Sequence, residues 1–142
     1  MAVTFTLYDS YDQYVHDGTI NLNSTGKVML ALVTSSYTFS AAHTIWADAS
    51  TNEVASGDGY TTGGAALGTL AITAAKFSSA NVTIAALTKT FRRGILYIND
   101  TVNGIVKPLI GAILYDATPA DISITGGDFV TQVPTAGWIS FG

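Results

Sequence analysis

The chain has 142 residues, of which 48% are hydrophobic, and it carries six Lys or Arg against ten Asp or Glu. The net charge of −4 speaks against a nucleic-acid binder, which presents a basic patch to phosphates. The absence of Cys excludes disulfides, thiol chemistry and Cys-based zinc sites, and the apolar content excludes a disordered chain.

The first half of the chain is dominated by short runs of β-branched and aromatic residues, which favour strands. Strands are predicted at 3–8 and 27–34, and short helical segments at 9–16 and 43–49. Ser10 is the predicted cap of the first helix, and Asp17-Gly18 is predicted to end it. The segment 27–34 is apolar on both faces, which is typical of a strand inside a sandwich.

A glycine-rich loop at 57–68 separates this half from a second series of strands. Strands are predicted at 69–73, 81–87, 91–98, 107–115, 129–133 and 138–141. We expect 81–87 and 91–98 to be neighbouring strands, and we expect Gly126-Gly127-Asp128 to start a hairpin made of the last two. Asn103-Gly104 marks a turn, and Pro108, which has no amide donor, predicts a strand that begins after it or lies at an edge.

Eight or nine strands, spaced by about 8 to 12 residues, are typical of a sandwich or jelly roll. The fold class predicted from this pattern is all-β, a single-domain antiparallel β-sandwich over residues 1–142, jelly-roll-like, with one or two short helical turns.

Candidate catalytic residues are few, because the chain has two His, one Glu and no G-x-S-x-G nucleophile elbow. His16 beside Asp17 and His43 near Asp48 are both interpreted as ordinary surface or cap histidines, and the enzyme alternative places His43 and Asp48 in its site. We therefore predict that the protein is not an enzyme.

No cofactor or metal site is predicted. The loop 57–64 lacks the Gly-Lys-Ser/Thr ending of a phosphate loop, so its glycines are interpreted as positions of positive φ or close backbone approach. Asp9, Asp12 and Asp17 could be imagined around calcium, but they do not form an oxygen-rich loop of the right length.

Aromatic residues are the remaining feature, with seven Tyr, six Phe and two Trp. Tyr8, Tyr11 and Tyr14 recur every third residue, so a helical turn would place them on one face. That face either packs on the sheet or forms a partner-binding patch.

Charge is sparse for the size of the chain. A compact monomer of 14.8 kDa is expected to expose about 7,000 Å², which gives about one charge per 440 Å². Thr and Ser can cover part of that surface, and burial in an assembly can cover the rest.

Several segments in order along the chain together resemble a family of small virion structural proteins of tailed bacteriophages. They are Phe5-Thr6-Leu7-Tyr8, Asp17-Gly18-Thr19-Ile20-Asn21-Leu22, Lys27-Val28-Met29-Leu30, Thr34-Ser35-Ser36-Tyr37, Thr51-Asn52-Glu53-Val54, Gly59-Tyr60-Thr61-Thr62-Gly63-Gly64, Arg93-Gly94-Ile95-Leu96-Tyr97 and Gly126-Gly127-Asp128-Phe129. The Ala-rich, charge-poor stretch 65–86 departs from the family, in which more Asp is expected.

The resemblance implies a capsid decoration, or cement, protein that binds the outer lattice of the major capsid protein as a homotrimer, or failing that a dimer. It implies synthesis in the host cytoplasm and a final place on the capsid exterior, with neither nucleic acid nor membrane as a partner. The alternative is a tail or baseplate component with a glycan-binding face. The oligomer or capsid interface is expected at six aromatic residues, Tyr8, Tyr11, Tyr14, Tyr37, Trp46 and Tyr60.

Overall fold

The computed structural model describes residues 4–20, 22, 27–73, 76–116, 118, 120–134 and 137–140. These residues form antiparallel sheets that pack against each other, so the predicted all-β, sandwich-like fold is confirmed. Jelly-roll connectivity and a single domain over residues 1–142 stay predictions.

The described strands and helices follow one another in a simple order. The strands are β1 Thr4–Leu7, β2 Val28–Val33, β3 Ala65–Ala66, β4 Ala71–Thr73, β5 Lys76–Ser78, β6 Val82–Phe91, β7 Arg93–Ile98, β8 Thr101–Val102, β9 Ile105–Val106, β10 Leu109–Leu114, β11 Ile122–Thr131 and β12 Ile139–Ser140. The helices are α1 Asp9–His16 and α2 Ala47–Ser50.

The first sheet has the order β1-β10-β7-β2-β3. Its inner strands β2, β7 and β10 are buried along almost their whole length. Their sequences carry apolar residues at consecutive positions because both faces are covered, one by the second layer and the other by the loops around α2. Pro108 lies just before β10, as its missing amide predicts.

The second layer contains a ribbon of β6 with β11 and a small sheet in the order β12-β5-β4. The alternating burial of β6 shows one face packed on the core and the other open to solvent. Phe91, Tyr115 and Phe129 meet edge to face between the layers, with ring centroids 4.8 to 5.7 Å apart. This aromatic cluster joins the ribbon to the first sheet.

Two predicted strand pairings are wrong. The segments 81–87 and 91–98 lie in different sheets, because the chain crosses between layers at Arg92, whose amide donates to Val33 O. The predicted hairpin between the last two strands does not form, because β11 pairs with β6 and β12 pairs with β5. Gly126-Gly127-Asp128 consequently lies inside β11, where the register shifts, instead of starting a hairpin.

Helix α1 ends as predicted and begins differently. Asp17 caps its C-terminus and Gly18 follows with φ of +80°. The N-cap residue is Tyr8, not Ser10, whose hydroxyl instead donates to His43 O across the structure. The second helix lies at Ala47–Ser50, slightly later than the predicted 43–49.

Candidate interaction surface

Five of the six aromatic residues expected at an interface lie inside the chain's own core. Tyr14 is half-buried against the main core, and the buried residues are Tyr8, Tyr11, Tyr37, Trp46 and Tyr60. Each retains 6% or less of its exposure, because the α1 segment and the loops after β2 fold their rings onto the sheet. These five side chains therefore offer little surface to a partner, and Tyr11 packs into the main core.

Two of these side chains, Tyr8 and Tyr37, form a hydrogen-bond chain with the half-buried His43. The Tyr8 hydroxyl lies 2.8 Å from the Tyr37 hydroxyl, which lies 2.9 Å from His43 Nδ1. Tyr8 is fully buried, and burial raises its pKa far above the usual value for tyrosine. The simplest arrangement has Tyr8 donating to Tyr37 and Tyr37 donating to His43 Nδ1. The chain ties the segment around His43 to β1.

His43 and Asp48, the enzyme alternative, have structural partners. Asp48 Oδ2 accepts hydrogen bonds from the amides of Thr44 and Ile45, at 2.9 and 3.2 Å. The bond from Thr44 is the main reason that the pKa of Asp48 is lowered. His43 Nδ1 meets the Tyr37 hydroxyl. Both side chains thus organise the loop before α2.

The single Glu organises the glycine-rich loop 57–64. Glu53 Oε1 accepts a hydrogen bond from the Tyr60 hydroxyl at 2.7 Å and another from the Gly63 amide at 2.6 Å. The Tyr97 hydroxyl donates to Gly63 O at 2.7 Å, and the Tyr97 ring stacks on Trp46. Gly64 has φ of +89° and lies against the backbone of Leu30. The interpretation of these glycines as positions of positive φ and close approach is therefore confirmed.

Within the residues that the structure describes, no group of three His, Asp or Glu side chains is arranged to hold a metal ion. Asp12 lies beside His16 instead, with 3.3 Å between Oδ1 and Nδ1. Asp17 accepts from the Thr19 amide, which closes the turn after α1.

The ribbon β6–β11 presents an outer face that is built from small, uncharged side chains. We call this set the ribbon face; it comprises Thr83, Ala85, Thr88, Thr90, Ser123, Thr125 and Val130, all of them exposed. Thr90 Oγ1 lies 2.9 Å from Ser123 Oγ across the two strands. Sequence reasoning missed this face, although the alternation of apolar and small polar residues in 82–91 is its signal.

Two side chains accept backbone hydrogen bonds where the register between β6 and β11 shifts. Asp128 Oδ1 accepts from the Ala86 amide at 3.1 Å, and Thr88 Oγ1 accepts from the Gly126 amide at 2.8 Å. Ala86 has a positive φ of 51° at this irregularity. The exposed Asp128 carboxylate of β11 is thus hydrogen-bonded to the partner strand β6.

An apolar groove of about 530 Å³ opens beside the C-terminal end of β11. Its lining residues are Phe5, Ile113, Tyr115, Phe129, Val130, Thr131, Gln132, Val133, Pro134 and Trp138. None of them is charged, and the hydroxyls of Tyr115 and Thr131 lie 3.0 Å apart at its base. The groove adjoins the ribbon face, because Val130 belongs to both.

No helix in the described part of the chain is long and apolar enough to cross a membrane. Comparison of the chain with protein-family models, with curated proteins and with solved structures gives no match.

Proposed function

We propose that the chain is a non-enzymatic virion structural protein, most specifically a capsid decoration protein that binds the outer surface of the major capsid protein lattice as a homo-oligomer. The observation that carries the proposal is the ribbon face, an exposed face ten residues long without a free charge. Depletion of charge is the compositional mark of permanent protein interfaces. The resemblance to small phage virion proteins supplies the identity of the lattice.

The exposed area agrees with this proposal. The chain exposes 6835 Å², as expected for a compact monomer of its mass, so each of the 16 charged side chains serves about 430 Å². Three of the described ion pairs, Lys27–Asp100, Lys89–Asp58 and Arg92–Asp121, involve six of these sixteen charges. The low density of charge supports contacts that form once and persist.

The dimensions of the ribbon explain why an oligomer is part of the proposal. A ten-residue strand is about 34 Å long, so two strands present on the order of 350 Å². A stable interface needs about 800 Å² from each partner. Several copies held together would engage the lattice at several points, and this multivalency would compensate for the small area of each contact. Because the lattice is bound only when assembled, such binding would stabilise the head by linkage.

The tail or baseplate alternative has less support. A glycan-binding face stacks sugars on exposed aromatic rings. Among the residues that the structure describes, every Tyr, Trp and Phe is buried or half-buried. The ribbon face, with Thr and Ala in place of aromatics, favours a protein partner.

The test uses phage heads assembled without the chain, to which purified protein is added. Wild-type protein is expected to decorate the heads in electron micrographs and to raise the temperature at which they release DNA. The variant Thr83→Lys/Thr125→Lys, which places two charges on the ribbon face, should bind at least tenfold more weakly. Thr101→Lys, an exposed change on the β8–β9 hairpin, is the matched control. Absence of wild-type protein from heads, or its location on tails, would overturn the proposal.

A further inference from the structure

The apolar groove runs along the open edge of β11. Burial alternates along the end of β11 and the three residues after it, where Phe129, Thr131 and Val133 are buried or half-buried and Val130, Gln132 and Pro134 are exposed. Residues of both sets line the groove. The groove therefore lies beside the strand, where a further strand would pair, and its lining includes Phe5 of β1, Ile113 of β10 and Tyr115, which follows β10.

Backbone groups of β11 are directed into this groove. The Val133 amide bonds to Asn81 Oδ1 on the side of β6. Because successive residues of a strand direct their backbone groups to opposite sides, the amides and carbonyls of Val130 and Gln132 are directed away from β6. Among the described residues, β11 pairs with β6 alone. Pro134 has no amide hydrogen, so the series of outward-directed backbone groups ends there. The open edge is therefore long enough for a strand of about three residues.

The chain also carries an edge strand of matching length. β4 has three residues, Ala71-Ile72-Thr73, all uncharged and exposed, and it is the outer strand of the sheet β12-β5-β4. Ile72 lies opposite Phe77, which is buried, so both side chains belong to the core-facing side of their sheet. Ile72 nevertheless remains 49% exposed, and among the described strands β4 pairs only with β5.

We propose that β4 of one copy pairs with the open edge of β11 in a second copy, so that Ile72 fills the apolar groove. The β12-β5-β4 sheet of one molecule would then continue into the β6–β11 ribbon of the next, with the core-facing sides of both on the same side. Ile72 would lie over Phe5 and Tyr115 of the second copy. Neither strand edge carries a charge, and Ile72 and Val130 are two of the three large apolar side chains exposed among the described residues. Uncovered edges of this kind are the ones that proteins pair or cover.

Such a contact is head-to-tail, because it joins two different surfaces of the same chain. A head-to-tail contact closes into a ring when its rotation allows, and a ring of three would give every copy two contacts. This inference rests on the proposed homo-oligomer and specifies the surfaces that form it.

The test uses cysteine cross-linking, which is clean because the chain has no Cys. Ala71→Cys protein is mixed with either Val130→Cys or Gln132→Cys protein and is oxidised gently. Paired strands bring Cα atoms within disulfide reach, so the mixture should form a cross-linked dimer that none of the variants forms alone. Cross-linking of Val130→Cys or Gln132→Cys with itself would indicate a symmetric contact and overturn the proposal. An oligomer without the mixed cross-link would overturn it as well.

Sedimentation of two matched variants gives an independent measure. Ile72→Asp should weaken self-association by roughly tenfold to a hundredfold, because it removes one buried isoleucine from each contact. Val106→Asp is the control, since Val106 is 56% exposed on the β8–β9 hairpin and lies outside the contact. Equal association of the two variants, or a wild-type chain that stays monomeric at 100 µM, a concentration of roughly ten times a micromolar-range Kd, would overturn the contact. A monomer that binds phage heads would refute this contact and the homo-oligomer but not the decoration role, whereas a head-to-tail oligomer that does not bind heads would refute only the decoration role.

Discussion

Glu53 accepts a hydrogen bond from the amide of Gly63 at 2.6 Å, and through it the only glutamate of the chain fixes the glycine-rich loop against the core. The same carboxylate oxygen accepts from the hydroxyl of Tyr60, which in turn accepts from the Leu32 amide of β2. A loop of low intrinsic order is thus connected to the first sheet by three consecutive hydrogen bonds.

Replacing Glu53 should destabilise the fold, and a substitution that removes its acceptor oxygen should destabilise it more than one that keeps an acceptor oxygen. Glu53→Ala leaves the Gly63 amide and the Tyr60 hydroxyl without their partner, and we expect a loss of about 2–4 kcal/mol in the free energy of unfolding. Glu53→Gln keeps an acceptor oxygen and should lose about 1 kcal/mol. Urea unfolding measures both. Equal stability of Glu53→Ala and the wild type would contradict this role.

The Tyr8–Tyr37–His43 chain predicts a specific order of mutational effects. Tyr8→Phe removes one end of the chain and should cost about 1 kcal/mol. Tyr37→Phe removes the middle hydroxyl and leaves the fully buried Tyr8 hydroxyl without its hydrogen-bond partner. We therefore expect a loss of about 2–3 kcal/mol in the free energy of unfolding.

The double variant provides the control for this order. Tyr8→Phe/Tyr37→Phe no longer contains the unpartnered Tyr8 hydroxyl. Its loss of unfolding free energy should therefore be smaller than the sum of the losses in the two single variants. Additive effects in the double-mutant cycle, measured by denaturant unfolding, would show that the two hydroxyls are not coupled.

Buried tyrosines predict a loss of stability in alkali. Burial, and then the charge of Glu53, raises the pKa of Tyr97 to about 12, and burial raises that of Tyr115 as well. Unfolded tyrosine ionises near pH 10, so the unfolded state releases protons that the folded state keeps. The stabilisation is complete below pH 10 and decreases as the pH rises from 10 toward 12.

Tyr115→Phe is the variant that checks the alkaline prediction. One fewer tyrosine should reduce the slope of stability against pH by about 1.4 kcal/mol per pH unit between pH 10.5 and 11.5. Urea midpoints across this range, together with tyrosinate absorbance, give the measurement. Tyrosinate that appears near pH 10 while the protein stays folded and equally stable would refute it.

Two glycines with positive φ should respond differently to alanine. Gly57 has a φ of +106°, and a Cβ at this position would have no other atom within 4 Å. Gly57→Ala should therefore lower the free energy of unfolding by about 1–2 kcal/mol through backbone strain alone. Gly64, with φ of +89°, would place its Cβ 2.7 Å from Ala31 Cα and against the Leu30 carbonyl. We expect Gly64→Ala to cost at least about 3 kcal/mol, and thermal unfolding of the two variants side by side would show whether the close approach matters.

The amino-acid sequence alone predicts the parts of the fold that depend on neighbouring residues. Strand β2 is apolar at every position, Pro108 precedes β10, and Asn103-Gly104 turns with positive φ at both residues. These features follow from side-chain propensities, a missing amide and steric freedom, all of which act within a few residues of the chain. The all-β class was predictable for the same reason.

The pairing of the strands and the burial of the aromatic rings depend on the tertiary structure. β11 pairs with β6 about 40 residues away, and nothing local distinguishes this from the hairpin that the sequence predicts. Tyr37 and Trp46 are as amphipathic as surface aromatics, and they are buried because loops distant in sequence fold over the same side of the first sheet. The groove beside β11 likewise exists only because β1, β10, β11 and Trp138 converge. Burial and strand edges are properties of the assembled layers, since they depend on what each segment finally faces.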